Sequence, residues 1–214
     1  MTSSANNSTP SSLAAAHLST QEQPIHEVIR RAHQRLARRF EDLHVVAWPR
    51  QARDLQCRAD AMLTDLTRHV NAVRAVVVDE LRAVDNGDTA IALRDACHRV
   101  ERTAVWVKAR LYGSSAMAHC SFADLVTGLE LEVKAIVDLE NVALADLDQC
   151  HDHTELLHIA LRLHRIEETA PTRPHPHLPH RGRLGSVSRA IVSRTDALWD
   201  TFEGRCAPAA EKFS

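Results

Sequence analysis

Apolar residues recur every three or four positions along most of the chain, the spacing of one face of an α-helix rather than the alternation of a strand. In the first such stretch, Ile25, Val28, Ile29, Ala32, Leu36, Phe40 and Leu43 form a single stripe. Ser19-Thr20-Gln21-Glu22 has the form of a capping box, and Pro24 suits a first helical turn. Trp48-Pro49 closes the segment. A second stripe, over about residues 51 to 84, carries Leu55, Met62, Leu66, Val73, Val76 and Leu81. Asp85-Asn86-Gly87-Asp88 then marks a turn. The third helix, about residues 89 to 112, carries Leu93, Cys97, Val100, Ala104, Val107 and Leu111, and Gly113-Ser114-Ser115 stops it. Ser121 caps a fourth that runs to about residue 149, striped by Leu125, Leu129, Val133, Ile136, Ala143 and Leu147. Long helices with short connections predict an all-α fold, an antiparallel four-helix bundle.

A shorter helix over about residues 154 to 168 continues the pattern with Leu156, Leu157, Ala160 and Leu163. Pro171, Pro174, Pro176 and Pro179 forbid a helix in the next stretch and predict an extended strap, with His175, His177 and His180 held between the prolines. Leu184, Val187, Ile191, Leu198 and Phe202 then share one side of a last helix, an additional C-terminal extension packing on the bundle. Residues 1–20 are rich in Ser, Asn, Thr and Ala without a basic start or an apolar centre, which predicts a disordered tail rather than a secretory signal. The expected organisation is a tail over 1–20, a bundle over 21–168, a strap over 169–183 and a C-terminal helix over 184–205.

Composition narrows the classes. With 214 residues, 44% hydrophobic and 25% charged, the chain matches one globular domain with an appendage. Six Gly, 8 Pro and 4% aromatics are too few for a turn-rich all-β fold. The formal net charge of −2 excludes an overall footprint for nucleic acid or an anionic membrane. No apolar run approaches the ~18 residues of a membrane helix. The five cysteines are odd in number, widely spaced and free of any C-x-x-C pair. That pattern argues against a disulfide framework or a closed zinc site and for a reducing, cytoplasmic setting. Arg173, Arg181, Arg183, Arg189 and Arg194 make a local basic patch without an acidic residue among them. The patch suits a protein partner better than nucleic acid, since neither interleaved aromatics nor a reading helix accompanies it.

The candidate chemistry lies where ionisable residues interrupt apolar stripes, because bundle sites are built from inward side chains of facing helices. His33 falls four after Ile29 and three before Leu36; His69 falls three after Leu66 and four before Val73. Glu140 falls four after Ile136 and three before Ala143. A carboxylate there is costly unless paired or bound to a cation. His98 sits on the flank of its stripe, beside Arg94, Glu101 and Arg102. An inward His or Glu is also commonly a hydrogen-bonded core residue, so periodicity alone leaves the structural and metal-binding readings both open.

Val28-Ile29-Arg30-Arg31-Ala32-His33-Gln34-Arg35-Leu36 resembles the first-helix histidine motif of hemerythrin-like (HHE cation-binding) domains, and Leu66-Thr67-Arg68-His69-Val70-Asn71-Ala72-Val73-Arg74 resembles the second-helix motif. Residues 131–147 are similar to the fourth helix of that family, and the resemblance spans about residues 25 to 205. It implies a non-haem iron site with His and carboxylate ligands and a role in O₂ or redox sensing. Carried over by position, the ligands are His33, His69, Glu140 and, on the third helix, His98. The chain departs from the family pattern at several points. Val73 or Arg74 replaces the carboxylate one turn after His69, Ile136 stands four before Glu140 in place of a His, and Arg102 takes the position of a second third-helix His. Two irons need bridging carboxylates, so the resemblance implies one metal ion or a metal-free relative.

Other constellations carry less. Cys150-His151-Asp152-His153 lacks closed zinc spacing and reads as helix-end polarity. Arg31, Arg35, Arg38 and Arg39 read as a solvated basic face near Glu27 and Asp42. Cys97 reads as inert core packing. Neither a phosphate loop nor a nucleophile motif is present, so the expectation is a non-enzymatic protein. Its expected partners are a metal ion, iron or O₂, with homo-oligomerisation or a protein partner at the Arg/His-rich C-terminal segment as the alternative.

Overall fold

The structure, a computed structural model, describes residues 24–44 and 52–170. The predicted tail, the strap and the C-terminal helix lie outside the described residues. Within them the fold is all-α: α1 (Pro24–His44), α2 (Ala52–Ala75), α3 (Val77–Ala83), α4 (Gly87–Leu111), α5 (Phe122–Cys150) and α6 (His153–Thr169), with a single 3₁₀ turn at Ser115–Met117. None of the described helices is long and apolar enough to cross a membrane.

Local chemistry sets the element ends. Pro24 opens α1, where its missing N–H costs nothing. Asn86 caps α4 by accepting from the Thr89 N–H, and Asp85 before it takes a left-handed φ of 61° that its short polar side chain tolerates. Ser121 caps α5 through the Asp124 N–H. Asp152 caps α6 in a reciprocal box, each of Asp152 and Glu155 accepting the other's backbone N–H at 2.9 Å. This accounts for Asp152 within the Cys150-to-His153 cluster. The stretch predicted as one helix over 51 to 84 is divided at Val76, whose φ of −120° and ψ of −65° bend the axis. Hydrogen bonds from Val76 N to Ala72 O and from Glu80 N to Val76 O, both 2.9 Å, carry the ladder across the break.

Side-chain pairs between helices fix their directions. Along α1, His26, His33 and His44 meet Asp148, Glu140 and Glu130 of α5 in turn, so the two helices are antiparallel. Arg39–Asp65 and Arg58–Asp42 set α2 antiparallel to α1. Tyr112–Asp60 and Arg74–Glu101 do the same for α4 against α2. Asn86 and Thr89 reach Asp146, and Arg110 reaches the Cys120 carbonyl, which sets α5 antiparallel to α4. Finally α6 packs on α1 and α2, with Arg35 and His69 facing Glu167.

The buried set contains every inward position predicted for α1, from Ile25 to Leu43, and most of those predicted for α4 and α5. Leu157 departs from the expectation: it is exposed, and Ile159 takes its place in the core. The larger departure is α2. From Ala59 through Ala75 it is buried all round except at Arg68, polar residues included. Three of those polar groups pair with side chains of other helices or their ends: Asp65 with Arg39 at 2.7 Å, Asp60 with the Tyr112 hydroxyl at 2.8 Å, and Arg74 with Glu101 at 2.5 Å, while the buried Thr64 hydroxyl has no hydrogen-bond partner among the described residues. Thr67 and Asn71 bond backbone carbonyls one turn earlier. Two arginines of α1 are therefore not a solvated face, since Arg35 and Arg39 anchor buried carboxylates of α6 and α2.

The cysteine pattern also needs correcting. Cys57 is disulfide-bonded, while Cys97, Cys120 and Cys150 are free thiols. Disulfides follow spatial approach rather than sequence spacing, so an odd, dispersed set does not preclude one. The cysteine count thereby ceases to support a reducing compartment.

Candidate metal centre

His33, His69 and Glu140 converge between the packed helices, from α1, α2 and α5. Each holds a stripe position on its own helix, and the antiparallel register brings the three to one level. The rings of His33 and His69 stand edge to face, 5.4 Å between centroids and 85° between planes. Both present Nε2 to the same carboxylate. His69 Nε2 lies 3.1 Å from Glu140 Oε1 and 3.4 Å from Oε2, and His33 Nε2 is hydrogen-bonded to Oε2. Glu140 is 0% exposed and His69 3% exposed. His33 is among the residues lining a groove of about 270 Å³ between α1 and α5, with Leu36, Phe40, Val133, Val137, Glu130 and Lys134.

Burial alone would push the Glu140 carboxyl up, because an ion loses its hydration there. The charge of His69 and hydrogen bonds from His33 and His69 outweigh burial and bring it down from 4.5 to about 2. For His69, burial disfavours the imidazolium, but the Glu140 carboxylate, by charge and hydrogen bond, and the Glu167 charge raise the pKa above its usual 6.5. The cluster therefore holds an anion at its centre with two imidazoles turned towards it.

That geometry fits a cation. Metal–N and metal–O bonds of ~2.1 Å place neighbouring ligand atoms about 3.0 to 3.4 Å apart in octahedral or tetrahedral shells. His69 Nε2 and the Glu140 oxygens already have that spacing, and ligand atoms of all three residues fall within 4.8 Å of one another. Two imidazoles and one carboxylate suit a borderline divalent ion such as Fe(II) or Zn(II). Among the described residues, this is the one His/Cys/carboxylate cluster with such convergence.

His98 does not join it. Its ring faces Glu101, Nδ1 to Oε2 at 3.5 Å, with the side chain 39% exposed. Burial, then the charges of Arg74 and Arg94, lower its pKa. At the positions where the resemblance implies further ligands, Val73 and Ile136 are core residues, Arg74 is paired with Glu101, and Arg102 is exposed. Cys97 is fully buried, and burial followed by the Glu140 charge pushes its thiol well up, as suits inert packing. The strap histidines lie outside the described residues.

Glu167 of α6 escaped the sequence reading although its signal was present: it falls four after Leu163 and seven after Ala160, on the buried stripe. Its Oε1 lies 3.8 Å from His69 Nδ1 and accepts from Arg35 Nη2 at 2.7 Å. Comparison with family models, curated proteins and solved structures finds no match for the chain.

Proposed function

We propose that this protein is a metal-binding helical bundle of hemerythrin-like type, in which His33, His69 and Glu140 hold a single divalent transition-metal ion. Iron(II) is the ion favoured by the resemblance. The proposed role is non-enzymatic, as a binder or sensor of oxygen or redox state. The observation that carries the reading is the convergence of three ligand side chains from three separate helices on one point, with the carboxylate wholly buried. The arrangement of α1, α2, α4 and α5 is consistent with a four-helix bundle, to which α6 is added on the α1–α2 side. One ion is proposed rather than two because Val73 and Ile136 offer no donor where a second would need one.

The fit rests on the donor set. Two neutral imidazoles and one carboxylate leave a dication with net positive charge and open positions, a combination associated with reactive Fe(II). The chain's own contribution is to hold the donors close, to exclude water from the Glu140 side, and to leave the His33 side in reach of solvent through the α1–α5 groove. A second reading is a structural polar triad, favoured by the acceptance of hydrogen bonds from both imidazoles by Glu140. Anaerobic titration with Fe(II), metal analysis and an absorption scan on admitting O₂ separate the two. The metal reading expects one ion per wild-type chain and loss of binding in His33→Ala. Stoichiometry well below one and unchanged in His33→Ala would leave the triad.

A further inference from the structure

His69 is held between two carboxylates, and only one of them belongs to the proposed ligand set. Its Nε2 faces Glu140; its Nδ1 faces Glu167 Oε1 across 3.8 Å. His69 is 3% exposed and Glu167 7% exposed, so the two side chains face each other in the interior. A histidine that binds a metal through Nε2 must carry its remaining proton on Nδ1, and a buried N–H needs an acceptor. Glu167 is aimed at that atom by Arg35, whose Nη2 donates to the same Oε1 at 2.7 Å. A carboxylate oxygen accepts twice, so the Arg35 bond leaves Oε1 a lone pair for Nδ1–H. Closing the gap to ordinary hydrogen-bond length takes about 0.8 Å, within the reach of small side-chain rotations.

We propose that Glu167 is a positioning residue of this centre: it takes the Nδ1–H of His69, fixing the tautomer and ring orientation that present Nε2 to the cation, while Arg35 holds Glu167 in place. The inference rests on the metal-binding reading above and adds to it a residue from α6, outside the four helices of the bundle. It also gives the Arg35–Glu167 pair a role beyond packing. An ion pair that only fastened α6 to α1 would have no reason to point its acceptor oxygen at a buried imidazole.

The test is Zn(II) affinity of the full chain, measured by competition with a chromophoric chelator, for wild type, Glu167→Ala, Glu167→Gln and Arg35→Met. Thermal unfolding of the metal-free proteins is the folding control. Glu167→Ala is expected to weaken Zn(II) binding roughly 10–100-fold, the usual cost of losing such an outer partner. Glu167→Gln, which keeps a carbonyl acceptor, should recover most of that loss, and Arg35→Met should fall between. Equal affinity in wild type and Glu167→Ala overturns the proposal, as does a Glu167→Gln variant no better than Glu167→Ala. A measurement on wild type alone covers the case in which the variants do not fold. In the zinc-loaded protein, nitrogen-15 spectra of the imidazoles should place the His69 proton on Nδ1 in slow exchange; metallation through Nδ1 overturns the proposal. If wild type binds no Zn(II), the metal reading fails and this inference with it. If wild type binds and is indifferent to Glu167, this inference fails alone.

Discussion

Replacing Glu140 by Gln in the metal-free protein isolates the charge between the packed helices while keeping its shape. The carboxylate is fully buried and its pKa falls from 4.5 to about 2 on folding, a difference worth about 3 kcal/mol at 1.36 kcal/mol per pH unit. Since the folded value is the lower one, this stabilisation is complete above about pH 4.5 and is lost as the pH falls towards 2. His69 imposes the opposite limit. Its folded pKa is raised, so its contribution is complete below 6.5 and is lost as the pH rises through the folded value. The two are halves of one interaction and are not added. The stability gap between wild type and Glu140→Gln should therefore peak between 4.5 and 6.5 at about 3 kcal/mol, close to the 3–5 kcal/mol typical of breaking a buried pair. Urea denaturation followed by circular dichroism, at about pH 3, 5.5 and 9, reads the gap directly, with midpoints compared at equal slope. A gap that is absent, or that does not change with pH, would refute the electrostatic account of the cluster.

Three further outcomes follow from neighbouring contacts. Arg74→Met removes the guanidinium paired with the buried Glu101 carboxylate and should cost about 3–5 kcal/mol in denaturant unfolding, while Arg74→Met with Glu101→Leu should recover most of it. Asp152→Ala removes the α6 capping box and should cost about 1 kcal/mol by thermal or urea unfolding. His98→Ala should leave Zn(II) affinity unchanged, because its ring faces Glu101 rather than the three-residue centre; a tenfold loss would place a ligand on α4.

The apolar periodicity carried the helices and most of the core. The α1 stripe, the turn at Asp85 to Asp88 and the caps at Ser121 and Pro24 were all legible, because each is a local pattern. His33, His69 and Glu140 were legible for the same reason: each interrupts a stripe at a position the stripe itself defines. That they meet depends on the antiparallel register, which only the packed helices set. The burial of α2 was less accessible, since a helix surrounded by neighbours on every side no longer displays one apolar face. Asp60, Asp65 and Arg74 look like surface residues in the sequence and are interior only because Tyr112, Arg39 and Glu101 reach them from other helices. The break at Val76 carries no Gly or Pro signal, and β-branched valines in a row continue a helix pattern as readily as they bend it. His98, on the flank of its stripe, faces Glu101 rather than the three-residue cluster. Glu167 sits on a shorter sixth helix outside the four long ones, yet its stripe position is as regular as that of Glu140.

The proposed site holds one cation between His33, His69 and Glu140. Anomalous diffraction at the zinc edge, from crystals of the zinc-loaded protein, tests it most directly. One peak per chain is expected, within bonding distance of both Nε2 atoms and the Glu140 carboxylate. A map with no peak there, or with its peak elsewhere in the chain, would contradict it.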